Sequence, residues 1–319
     1  MTVFRTLRLG VVALLAATLG AAAPASAQDY PNQRVTIVVP FGAGSVTDIL
    51  ARILAEDMGR RWNQQVIVEN RPGLAGTTMV GKAANDGYTL MVTSNGHTVA
   101  GLVSKELTVD PVKDFAGITR LASAPLYLIT HPSLGAKTAK DVIDKAKAQP
   151  GKLNFSSPGL ASTTFIAGAL FRKAAGINIV HVPFRSAPDA VTAVIRNDVQ
   201  MYFAPVNLAK EYSEAGQVVA IAAATAQRIP ELPNVATFTE QGLPYVYDSW
   251  FGLMAPAGTP PAIRDKISKD WAAALQTPEM KDKLAKQFLI GVSDIPAAFD
   301  EIIRKETANL TQVFKEAGI

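Results

Sequence analysis

The chain has 319 residues, 48% of them hydrophobic, with 31 Lys and Arg against 27 Asp and Glu and a formal charge of +4 at pH 7. That length suffices for one large α/β domain or two medium ones, and the absence of Cys excludes disulfides, a thiol nucleophile and thiolate metal sites. Lys and Arg are scattered among acids, with no basic block interleaved with aromatics, which argues against nucleic-acid binding.

The first segment reads as a secretory signal peptide. Arg5 and Arg8 precede an apolar Ala- and Leu-rich run that ends in Ala25-Ser26-Ala27, a small-residue cleavage pattern. Cleavage after Ala27 is expected to start the mature chain at Gln28, in the periplasm, with a net charge near +2. From Arg34 to Pro40 a β-branched run predicts a strand covered on both faces. A Gly loop, Phe41 to Ser45, leads into an amphipathic helix from Thr47 to Trp62. Gln65 to Glu69 reads as a strand, Asn70 to Gly76 as a Pro/Gly loop, Met79 to Ala84 as a helix and Tyr88 to Thr93 as a buried strand. Ser94 to His97 follows it and opens another helix. Strands are expected at Phe115 to Leu121, Tyr127 to Thr130, Leu153 to Ser156, Ile179 to Val182, Val199 to Phe203, Val218 to Ala223 and Gly252 to Ala255. Helices are expected at Thr138 to Ala148, Phe165 to Ala174 and Pro188 to Arg196. Three more close the chain: Pro261 to Leu275, Pro278 to Phe288 and Pro296 to Ala317. Alternating strands and helices predict an α/β fold with largely parallel sheets, whose ligand loops lie at strand C-terminal ends.

Loops of that kind fall in both halves of the chain. Gly42-x-Gly44, between a strand and a helix, offers backbone N–H groups to an anion, with Asp48 in the first helical turn to brace it. The plain alternative is a tight turn, since neither a P-loop Lys nor a third dinucleotide-type Gly follows. Ser156 to Thr164, SSPGLASTT, offers hydroxyls and amides at a helix start, or simply caps that helix. His97, His131 and His181 form no metal spacing. His97, in a polar loop, is the best site candidate of the three, whereas His181 reads as a structural strand residue. Arg185 reads equally as an anion partner or a surface residue. No G-x-S-x-G elbow supports a hydrolase.

Longer text carries a resemblance. In order along the chain stand VVPFGAGSVTDILAR, VENRPGLAGT, ANDGYTL, DPVKDFAGI, AKAQPGKLNFSSPG, HVPFR, RIPELPNVATFTEQGLP and SWFGLMAPAGTP. Together they closely resemble the Bug family, the extracytoplasmic solute receptors of tripartite tricarboxylate transport systems. The resemblance implies a type II periplasmic binding-protein fold with two α/β lobes, 28–126 with 248–319 and 127–247, closing on a ligand. It implies a non-enzymatic receptor for a small carboxylate, without cofactor or metal, monomeric, and partnered by membrane permease subunits. A signalling receptor is the alternative role, and a secreted hydrolase a more distant one.

The same resemblance maps the ligand loops onto Phe41, Gly42, Ala43, Gly44, Ser45 and Asp48, and onto Ser94, Asn95 and His97. The facing set is Ser157, Leu160, Ala161, Ser162 and Thr163, with Phe184, Arg185, Ala204 and Pro205 beside it. Three departures from the family pattern stand out: Ala43 separates the two loop glycines, Ala204 stands where many relatives carry an acid, and Arg185 stands near a position where many carry Lys. The missing acid removes a partner for an ammonium group, so a non-amino carboxylate is expected.

Overall fold

The computed structural model describes residues 30–317. The expected signal segment, 1–27, lies outside the described residues. The chain begins with β1 (Val35–Val39), α1 (Val46–Trp62), β2 (Val66–Asn70), α2 (Leu74–Gly81), β3 (Thr89–Ser94), α3 (Gly96–Val103) and β4 (Phe115–Ser123). It then crosses into a second sheet through β5 (Leu126–Thr130), α4 (Ala139–Ala148), β6 (Asn154–Ser157), α5 (Thr163–Ala175), β7 (Val180–Pro183), α6 (Ala187–Ile195), β8 (Met201–Pro205), α7 (Val206–Glu214) and β9 (Val219–Ala223). It returns with β10 (Trp250–Pro256), α8 (Pro261–Ala274), α9 (Pro278–Ala285), β11 (Ile290–Gly291) and α10 (Pro296–Ala317).

The first sheet has the order β11-β4-β10-β3-β1-β2 and the second β7-β6-β8-β5-β9. Pairing is parallel for β1 with β2 and β3, and for β6 with β7 and β8. It is antiparallel where the crossing strands enter: β10 against β3 and β4, and β5 against β8 and β9. The sheets are therefore mixed. Each crossing strand enters its sheet from the other lobe, against the direction set by the strand–helix–strand units.

Side-chain alternation places a core on both faces of each sheet. Val35, Ile37 and Val39 of β1 pack with Leu50, Leu54 and Trp271 on one face, while Val38 packs with Met91, Met254 and Phe299 on the other. In the second sheet Leu126 and Leu128 share a core with Phe155, Phe165 and Phe203, and Tyr127 and Ile129 share the opposite one with Val191 and Tyr202. Helix starts are fixed locally: Ser45, Thr138, Ser162 and Ser186 each accept a backbone N–H of their helix.

Two helices differ from the sequence reading. Helix α2 starts at Leu74, inside the stretch expected to be a loop, with Gly76 so close to Arg71 that a Cβ would lie 2.3 Å from its carbonyl oxygen. Helix α7 was not expected at all. It lacks a side-chain cap, and its apolar face, Val206, Ala209 and Tyr212, is short and directly continues the apolar run of β8.

Three segments join the lobes. Ala124 and Pro125 link β4 to β5. The stretch entering β10 runs beside them, and the Ala124 N–H donates to the Ser249 carbonyl at 2.9 Å. Helix α10 is the third: Phe299 and Ile303 pack in a core of the first sheet, whereas Leu310, Val313 and Phe314 pack in a core of the second.

Candidate functional site

The loop after β1 is built around Asp48, which is almost fully buried in the first turn of α1. Its Oδ2 accepts the Gly44 N–H at 2.9 Å and Arg52 Nε at 3.2 Å, and its Oδ1 accepts Asn70 Nδ2 at 2.9 Å. Asn70, at the end of β2, also donates to the Phe41 carbonyl at 3.2 Å. Desolvation pushes the Asp48 carboxyl up, but the bonds from Arg52, Gly44 and Asn70 outweigh it and hold the group below the ordinary carboxylate range. Asp48 thus faces the loop and serves as its brace. Phe41 packs on the first core, while Gly42, Ala43 and Gly44 are exposed. Gly44 sits at φ +79°, a backbone region that favours glycine, and a Cβ at Gly42 would meet nothing within 4 Å. Among the described residues the Gly42 and Ala43 N–H groups have no protein acceptor, and they lie in the turn that precedes the Ser45 cap of a 17-residue helix. That is a site where backbone dipoles favour an anion.

The second loop expected at the ligand follows β6. Ser157 is fully buried; its hydroxyl accepts the Gly159 N–H at 3.1 Å and shares a 2.7 Å hydrogen bond with His181 Nε2. Burial lowers the His181 pKa to about 4, so the ring is neutral at pH 7. This pair braces the loop from below, a role for His181 that alternation along β7 does not reveal. Ser162 caps α5 by accepting the Phe165 N–H at 3.1 Å, and its hydroxyl donates to the Gly159 carbonyl at 2.7 Å. Gly159 lies at φ +117°. Leu160 packs on the second lobe's core, Thr163 is half-buried and Ala161 is exposed. The hydroxyls of Ser157 and Ser162 are therefore committed to the loop itself.

Helix α3 of the first lobe meets the second lobe: Val99 lies in the second lobe's core, and the loop before α3 touches the loop after β6. A Cβ built on Gly96 would lie 1.9 Å from the Ala161 carbonyl oxygen. Around Gly96 the other expected residues turn inward. Ser94, Asn95 and His97 are all buried. His97 Nε2 lies 2.7 Å from the Pro111 carbonyl, and its ring stands edge-on to Phe115 at 4.7 Å. Burial, only partly opposed by that bond, lowers its pKa to about 4, so His97 is a neutral interior side chain directed away from the cleft. Asn95 donates from Nδ2 to the Asp248 carbonyl at 3.2 Å and to Glu306 at 2.7 Å.

The remaining residues divide. Phe184 is tied to the β6 loop through its N–H to the Ser157 carbonyl at 2.8 Å, and Arg185 beside it is exposed. Ala204 is fully buried in the core with Tyr127 and Val191, and Pro205 opens α7. An acid at position 204 would therefore enter a core. Concave space also exists beside the hinge: cavities of about 320 and 470 Å³ share Pro125, Ile229 and Ile290 in their walls.

Two mixed α/β lobes joined by three crossing segments, with the loop after β3 meeting the loop after β6 between them, define a two-lobed solute-binding protein of the periplasmic type. Comparison with known proteins narrows the class. Residues 50–319 match the family described as "Tripartite tricarboxylate transporter family receptor", and the chain belongs to that family. Its members are extracytoplasmic solute receptors and not enzymes. The chain is 31% identical over 316 residues to Protein BugT of Bordetella pertussis, covering 97% of each. It resembles the solved structure of an R. palustris protein with adipate, at 30% identity and a TM-score of 0.77, covering 91% of this chain and 99% of that one. It also resembles MatC from Rhodopseudomonas palustris with bound malate, at 27% identity and a TM-score of 0.72, covering 89% of this chain and 99% of that one.

Proposed function

We propose that this receptor captures a small carboxylate, a di- or tricarboxylate or an aromatic acid, between the loops Phe41–Ser45 and Ser157–Thr163, and delivers it to the membrane permease subunits of a tripartite tricarboxylate transporter. The observation that carries this reading is that Gly42 and Ala43 are exposed and their N–H groups have no acceptor among the described residues, in a loop just before α1 that Asp48 braces at Gly44. A ligand carboxylate there is bound by amides and bridging waters, without a fixed ion pair. The relatives solved with adipate and malate support the ligand class.

The chain is proposed to reach the periplasm through cleavage after Ala27 and to act as a monomer. Its lobes are proposed as 28–126 with 248–319 and 127–247, with the last turns of α10 shared between them. A thermal-shift screen of the mature protein against adipate, malate, benzoate and glutamate tests the ligand class. A rise in Tm with one of the first three, confirmed by calorimetry, is expected through linkage. Stabilisation by glutamate alone would overturn the assignment to a non-amino carboxylate. Mass spectrometry of ligand released on unfolding identifies a co-purified occupant.

A further inference from the structure

The inner stripe of α10 runs Phe299, Ile303, Glu306, Leu310, Val313, which is helical spacing. Four of these are apolar core residues, the first two in one lobe and the last two in the other. Glu306 interrupts the stripe at the point where the helix passes between lobes. It is half-buried, and its carboxylate is engaged from two sides. Oε1 accepts Asn95 Nδ2 at 2.7 Å, and Oε2 accepts Trp250 Nε1 at 2.6 Å. Asn95 belongs to the loop at the end of β3, and Trp250 opens β10 at the second crossing. The Asn95 N–H in turn donates to the Trp250 carbonyl at 3.3 Å, and Asn95 Nδ2 to the Asp248 carbonyl. One carboxylate therefore ties together a crossing helix, a crossing strand and the loop that carries Gly96 to the Ala161 contact.

We propose that Glu306 is a positioning residue whose carboxylate clasps the loop Ser94–His97 to the hinge, so that gain or loss of a proton on α10 sets how firmly that loop is held. The loop's part in ligand capture rests on the function proposed above. The clasp itself does not.

The chemistry requires an acid. Both facing groups are donors, and an ionised carboxylate accepts from both with charge-assisted bonds. The charged groups around it come from every neighbouring element. Asp248 precedes β10. Arg120 on β4 pairs with Asp248 and with Asp294, the latter at 2.7 Å from Nε. Tyr247 lies on the same crossing, and its hydroxyl, deeply desolvated, stays protonated. Desolvation pushes Glu306 up to about 7; its bonds to Asn95 and Trp250 oppose this, Asp248 adds to it and Arg120 subtracts from it. The group therefore changes charge near neutral pH. Buried oxygens of Asn95 (Oδ1), Tyr247 and Ser249, on the same loop and crossing, have no partner among the described residues, so this polar hinge has acceptors to spare.

The test compares wild-type mature protein with E306Q, whose neutral amide keeps the shape of the protonated acid. Hydrogen exchange over residues 94–99 is predicted to run about tenfold faster in E306Q than in wild type at pH 8, and at equal rates at pH 6, where the wild-type clasp is itself protonated. Peptides over β8 are predicted to be unchanged at both pH values. Tryptophan emission sums Trp62, Trp250 and Trp271, of which only Trp250 bonds Glu306, and is predicted to show an inflection near pH 7 in wild type that E306Q lacks. N95A, which removes the loop's side of the clasp, should reproduce the pH 8 exchange. Equal exchange in both proteins at pH 8, or faster exchange spread over the whole chain, would overturn the proposal. Adipate and malate affinities measured on the same proteins separate the two readings. A loosened loop with unchanged affinity leaves the clasp standing and refutes the loop's role in capture.

Discussion

Gly96→Ala isolates the contact between the lobes from the stability of either one. Gly96 is the first residue of α3 and does not need a left-handed backbone, so local helix propensity favours Ala by about 0.5–1 kcal/mol. The only adverse term is the neighbour. The new methyl carbon would lie 1.9 Å from the Ala161 carbonyl oxygen and 3.0 Å from its carbonyl carbon. Backbone cannot rotate away as a side-chain end can, so the loops must separate. Overpacking of this kind costs about 1–3 kcal/mol, which corresponds to about 5- to 150-fold in affinity. If the contact belongs to the closed arrangement, that cost falls on ligand binding, and the free protein relaxes by opening. Calorimetry with the ligand found by the screen should therefore show weakened binding, while the ligand-free Tm stays within a degree or two of wild type. Unchanged affinity would refute the reasoning. So would a ligand-free Tm loss large enough to account for the whole cost, because the contact would then be part of the resting structure.

Gly44→Ala places a side chain at φ +79° and should cost about 1 kcal/mol in stability while weakening carboxylate binding several-fold; equilibrium unfolding and calorimetry check both. Asp48→Asn removes the charge that holds Gly44 and Arg52 and should destabilise the protein by about 2 kcal/mol. Because the Asp48 pKa is lowered in the fold, its contribution is present above the unfolded value and lost as pH falls through the folded one. Wild type should accordingly lose its advantage over D48N in acid, read as converging Tm values below pH 4. Ala204→Asp buries an unpaired carboxylate among Tyr127 and Val191. It should cost about 3 kcal/mol or more, without tightening dicarboxylate binding. Glu306 has a raised pKa, so its folded form holds a proton that the unfolded chain releases. Global stability from this group is complete below about pH 4.5 and lost as pH rises through about 7, because unfolding hydrates the ionised carboxylate; the clasp has the opposite sense, since local opening of the loop removes the Asn95 donor and leaves the charge buried. A wild-type Tm that falls between pH 5 and 8 more steeply than that of E306Q checks the sign.

Much of the scaffold could be read from periodicity. The β-branched run of β1, the Ser45 cap and the Gly44 turn leave local marks, because each is fixed by residues adjacent in the chain. The long relations left none. Asn70 braces the first loop across 22 residues to Asp48, and Ser157 meets His181 across a parallel strand pair. His97 drew attention as a polar residue after a strand, yet its ring is satisfied by the Pro111 carbonyl in the interior. Ala204 was placed beside the ligand by resemblance, and packing of β8 against α6 and α7 puts it in a core. Glu306 carried a legible signal, a charge on the apolar stripe of α10. Its meaning, however, depends on which lobe each end of that helix joins.

In the proposed complex a carboxylate sits on the Gly42 and Ala43 amides before α1, between that loop and the loop after β6. Amide chemical shifts of the isotope-labelled mature protein, titrated with adipate and malate, test it most directly. The account predicts saturable shifts concentrated at 41–45 and 157–163 with at least one of the two ligands. Saturable binding with shifts confined to the hinge cavity around Pro125, Ile229 and Ile290 would contradict it.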